Sequence, residues 1–102
     1  MAAEPRRHTM LVGLWVSDQE GYRRYRAAMA PVLARFGGTF GYDFVVSEVL
    51  RSEVETPINR VFTLVFPDRG AREGFFVDPE YVEARAAHFV ASVSHVAILD
   101  EY

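Results

Sequence analysis

From His8 to Val16 apolar side chains fill both alternating sets of positions, the pattern of a strand covered on two sides. The run stops at Ser17-Asp18-Gln19-Glu20. Ser17 stands three residues before Glu20, the spacing of a capping box, so a helix is expected to start there. Tyr22, Tyr25, Met29, Val32, Leu33 and Phe36 then recur at intervals of three and four, with Arg23, Arg24 and Arg26 on the opposite side. Pro31 lacks an amide proton for the helix ladder and predicts a bend or break. Gly37-Gly38 supplies the left-handed residue that ends such a helix.

Thr39 to Leu50 is rich in aromatic and β-branched residues and reads as a second strand. Without a bulge, it places Phe40, Tyr42, Phe44, Val46 and Glu48 on one face. A polar loop leads to a third strand, Arg60 to Phe66, and the two strands are expected to form a hairpin. Asp68 can cap a short helix over Ala71, Phe75 and Phe76, while Asp78-Pro79 reads as a fresh cap that divides the second helix. Tyr81, Arg85 and His88 fall at i, i+4 and i+7, on one face of a regular helix, with Val82 and Phe89 beside them. Ser92 to Asp100 is the last strand.

This order, βαββαβ, predicts an α+β ferredoxin-like fold, a four-stranded antiparallel sheet with two helices on one face. Strands apolar on both sides then need cover on the second face as well. The simplest cover is another copy, in a homodimer through the sheet faces; an interface of standard size buries about 1,600 Å².

Length and composition narrow the function classes. At 102 residues the chain is one domain, expected over residues 8–102 behind a loose leader at 1–7. A net charge of −3 gives no broad positive field for phosphate backbones, so nucleic-acid binding is not expected. The apolar run from Met10 to Val16 is too short for a signal core or a membrane span. The chain has no cysteine, which excludes disulfides, a thiolate zinc site and a cysteine nucleophile, and fits a reducing cytoplasm. His8, His88 and His95 lack ligand spacing, and Gly37-Gly38 ends a helix where a phosphate loop would begin one. No metal or cofactor is therefore expected.

Tyr22 and Tyr25, Pro31, Gly37-Gly38 with Phe40, Arg60, Phe66-Pro67-Asp68, Ala71 and Asp78-Pro79-Glu80-Tyr81 form an ordered set of short motifs. With them the chain resembles the dimeric α/β-barrel superfamily and, within it, the family of domains of unknown function numbered thirteen-thirty, over roughly Leu11 to Ile98. The resemblance implies a ferredoxin-like protomer, a homodimer through the sheets, and a cavity between sheet and helices in each subunit. The superfamily includes cofactor-free monooxygenases, haem-degrading enzymes, muconolactone isomerases and stress-responsive proteins, and fold alone does not choose among them. The family's second strand commonly ends in a glutamate-glycine pair; here Leu50 is followed by Arg51-Ser52, leaving Glu48 as a displaced counterpart.

The candidate site residues follow from these placements. Arg85 is the expected anion partner, with Tyr81, Trp15, Tyr22 and Phe66 beside the ligand and His88, Glu48 or Tyr42 handling protons. The bland counterparts are an Arg85 paired with Glu48 or Asp43, and aromatic residues that only fill the core. The resulting reading is a homodimer that binds a small apolar or aromatic acid. Its rivals are a cofactor-independent monooxygenase using Trp15, a non-catalytic stress or interaction protein, and a haem-handling protein.

Overall fold

The computed structural model describes residues 6–102. Its four strands are β1 (His8–Val16), β2 (Thr39–Val45), β3 (Arg60–Phe66) and β4 (Val93–Glu101). They pair antiparallel throughout, in the order β2-β3-β1-β4. Helix α1 (Gln19–Arg35) joins β1 to β2. The second crossover comprises α2 (Arg69–Val77), α3 (Pro79–Ala84), a π-helical turn (Arg85–Phe89) and α4 (Val90–Ser92). This is the expected ferredoxin-like arrangement. Of the expected leader, residues 1–5 lie outside the described part, and Arg6 and Arg7 are exposed ahead of β1.

The core lies between the sheet and the helices. Met10, Val12, Leu14 and Val16 of β1 and Phe62, Leu64 and Phe66 of β3 meet Tyr22, Tyr25, Met29, Val32 and Leu33 of α1. Phe75 of α2 completes this layer and is fully buried. The shortest Cα extent of the molecule is 17 Å. That suits one sheet and one helical layer, since a further packed sheet would add about 10 Å.

Local chemistry shifts several boundaries. Asp18, not Ser17, caps α1, its carboxylate accepting from the Gly21 amide at 3.1 Å. The Ser17 hydroxyl instead accepts from Ser94 at 2.8 Å, and the amides of Ser17 and Asp18 both donate to the Ser92 carbonyl. Helix α1 also runs unbroken through Pro31. Both Pro31 and Ala27, whose carbonyl loses its amide donor, are on the solvent side, where water can satisfy that oxygen. Gly37 takes φ +71° at the helix end, as its position requires.

Strand β2 departs furthest from expectation. It ends at Val45, so Glu48 lies in the following loop, and a bulge between Phe40 and Asp43 breaks its alternation. Phe40 therefore packs against Phe62 on the helical side, with ring centroids 5.5 Å apart. Tyr42 and Phe44 stack on each other at 5.7 Å on the opposite face. The loop after β2 returns through Asn59, whose side chain mimics a strand by accepting from the Val16 amide and donating to the Val16 carbonyl.

The non-helical face carries Trp15, Tyr42 and Phe44, which are 39%, 66% and 55% exposed. This chain covers part of that face itself. Ile58 lies over Gly13, so closely that a Cβ there would come within 2.7 Å of its side chain.

Candidate functional site

A cavity of about 260 Å³ opens between the sheet and the second crossover. Its floor is β1 and β3, and Val96 and Ile98 of β4, about half exposed, border it. The polar residues of its lining are Tyr25, Tyr81 and Arg85.

Capping chemistry fixes Tyr81. The Asp78 carboxylate accepts from the Glu80 and Tyr81 amides at 2.9 and 3.3 Å, and Pro79 sits in the first turn. Tyr81 is clamped between Phe75 and Phe76, with ring centroids at 4.4 and 5.3 Å. Its hydroxyl meets that of Tyr25, from α1, at 2.9 Å, and either oxygen can be the donor. Arg85 follows one turn later and lies over the Phe89 ring, 5.3 Å from its centroid.

The π-helical turn decides which residue comes next. The Val90 amide bonds to the Arg85 carbonyl, five residues back, which adds one residue to the turn. The expected face of Tyr81, Arg85 and His88 therefore stops at Arg85. Phe89, not His88, points into the core, where its ring packs 4.8 Å from that of Tyr25. His88 is half-buried and does not line the cavity.

The electrostatics of the site run one way. Burial pushes the Tyr25 phenol far up, and the hydrogen bond with Tyr81 adds to that shift. Tyr81 is also raised, chiefly by burial, with its bond to Tyr25 and the Arg85 charge opposing. Both phenols therefore stay neutral near pH 7. Among the described residues Arg85 has no carboxylate partner; Asp43 pairs with Arg26 and Arg60 instead. Among the described residues nothing in the lining is a carboxylate or imidazole. The lining can donate hydrogen bonds and neutralise an anion.

The other expected site residues lie elsewhere. Phe66 is fully buried against Phe75 and Phe76. The Tyr22 hydroxyl accepts from Arg26 at 2.8 Å, and burial raises its pKa. Trp15 and Tyr42 are on the far face of the sheet, and His95 is opposite Trp15 in the β1–β4 ladder. Glu48 borders a more open hollow of about 600 Å³ beside Ile58, Val61 and Leu99, which shares no lining residue with the cavity. Among the described residues no three histidines, aspartates or glutamates converge as a metal site would require.

Two features escaped the sequence reading. Tyr25, expected as a packing residue, lines the cavity with Phe89, and a buried phenol signals that its hydroxyl needs a partner. Arg26, expected on the outer face of α1, lies over Phe40 at 3.8 Å and bonds to Asp43 at 2.8 Å. Asp43 also takes a two-pronged contact from Arg60 at 2.8 and 2.9 Å. Burial alone would raise the Asp43 carboxyl, but the hydrogen bonds and charges of Arg60 and Arg26 outweigh it and hold it below its ordinary value.

Residues 10–102 match the family described as Domain of unknown function (DUF1330). The chain belongs to that family. Among curated proteins, none matches it. A solved relative of unknown function from Rhodopseudomonas palustris, RPA0582, is 23% identical with a TM-score of 0.80, over 94% of this chain and 80% of that one. A dimeric ferredoxin-like protein of unknown function from Jannaschia is 19% identical with a TM-score of 0.64, over 95% and 98% of the two chains. SnoaB from Streptomyces nogalater, a cofactor-independent oxygenase, is 16% identical with a TM-score of 0.61, over 98% and 92%. At these identities the likeness concerns the fold. Among the described residues of this DUF1330 protein, no helix is long and apolar enough to cross a membrane.

Proposed function

We propose that this DUF1330 protein is a homodimer, paired through its exposed sheet faces, that binds a small apolar or aromatic acid in the cavity beneath α3. The observation that carries the ligand reading is an apolar cavity whose polar groups are two neutral phenols and an arginine with no carboxylate partner among the described residues. A single aromatic ring fits the volume, since a cavity of about 150 Å³ holds benzene. Its carboxylate would take the Arg85 guanidinium at the exposed rim. The dimer reading is supported by the aromatic far face and by relatives of this fold described as dimeric. A cytoplasmic location belongs to the same proposal, supported by the cysteine-free sequence. His88, Glu48 and Tyr42 do not line the cavity, so the proposal is binding, with no base assigned.

Titration calorimetry with a panel of aromatic and aliphatic carboxylates tests this, run beside sedimentation equilibrium on the same samples. Arg85→Ala is expected to weaken the best ligand at least tenfold, as the loss of a charge-assisted contact should. Both proteins are expected to sediment as dimers. Unchanged affinity would remove the ligand reading, and a monomer mass would remove the dimer.

The cofactor-independent oxygenase reading has the fold of SnoaB behind it and little else. Trp15, the only tryptophan, sits across the sheet from the cavity. A purely space-filling role for the aromatic residues is opposed by the cavity itself.

A further inference from the structure

Tyr25 and Tyr81 carry two hydroxyl protons between them, and the bond joining their oxygens uses one. Whichever phenol donates, the hydroxyl that accepts keeps a proton of its own. Among the described residues neither oxygen has another hydrogen-bond partner. The two residues are only 6% and 4% exposed and both line the cavity, so the surplus proton is presented to whatever occupies it. A ligand that supplies an acceptor oxygen there gains a hydrogen bond that a purely apolar ligand leaves unmade. Donation from one phenol to the other also polarises the second, which strengthens its bond to a ligand.

The acid-binding reading above uses only Arg85. We infer that the cavity selects acids with a second acceptor oxygen, such as oxo acids, placed to accept the surplus phenol proton while the carboxylate meets Arg85. This inference rests on that reading and adds a chemical class to it. The geometry is suitable, because Tyr81 and Arg85 are one turn apart and point to the same side of the helix. A carbonyl also suits the inner position better than a second carboxylate, since a neutral acceptor avoids placing another charge among apolar walls.

Matched pairs of acids that differ only by a carbonyl in place of a methylene test the inference. Benzoylformate against phenylacetate places the carbonyl next to the carboxylate, and benzoylpropionate against phenylbutyrate places it farther away. At least one oxo acid is expected to bind about tenfold tighter than its partner, and that ratio is expected to fall to about one in the double variant Tyr25→Phe/Tyr81→Phe, which removes both hydroxyls. Binding with no preference in either pair would overturn the inference and leave the acid-binding reading standing. A preference that survives in that double variant would overturn it as well. No binding by any of the four acids would sink the inference and the underlying reading together.

Discussion

At the scale of single residues, the structure separates charges held in place from charges left free. Asp43 ties the edge strand β2 to β3 through Arg60 and to α1 through Arg26. Its folded pKa is depressed, so the stability it contributes is present above its ordinary value of 3.8 and is lost as pH falls through the lower folded value. Asp43→Asn is therefore expected to destabilise the protein by about 1 kcal/mol at pH 7, a modest figure because the carboxylate is partly exposed to solvent. Urea denaturation from pH 7 to pH 2 should show that gap closing only below about pH 4. A gap independent of pH would assign the effect to packing. Sequence spacing offers Asp43 as a partner for Arg85 and puts Arg26 on the solvent side of α1, whereas the structure joins Asp43 and Arg26 to each other. Sequence spacing places a side chain on a helix face, but it does not show that a long arginine can reach across to a neighbouring strand.

At the scale of elements, the strand and helix order was legible because each boundary has its own chemistry. Asp68 caps α2, Asp78 with Pro79 opens α3, and Gly37 closes the turn after α1. The faces of two elements were not legible, for one shared reason. Each contains an additional residue that simple periodicity does not anticipate: the bulge between Phe40 and Asp43 in β2 and the π-helical turn from Arg85 to Phe89. The first sends Tyr42 to the far face, and the second exchanges His88 for Phe89. Phe89→Ala is accordingly expected to cost about 3 kcal/mol, and His88→Ala less than about 1 kcal/mol, by chemical denaturation. The reverse order would mean that the helix keeps its regular period in solution. Tyr81 and Arg85 stand ahead of the added residue, and both line the cavity.

At the scale of the whole molecule, one sheet separates two surfaces of different chemistry. Tyr25, Tyr81 and Arg85 converge on the helical side, while Trp15, Tyr42 and Phe44 lie on the other. Pairing two copies through the second surface would bury these aromatic rings and leave each cavity accessible at the β4 edge. Assembly and ligand binding would then use opposite faces of the same four strands. A crystal structure of the protein grown with benzoylpropionate tests this division most directly. The ring is expected inside the cavity, with its carboxylate on Arg85 and its carbonyl oxygen within hydrogen-bond distance of a Tyr25 or Tyr81 hydroxyl. An empty cavity, or the acid seated against Trp15 on the far face, would contradict it.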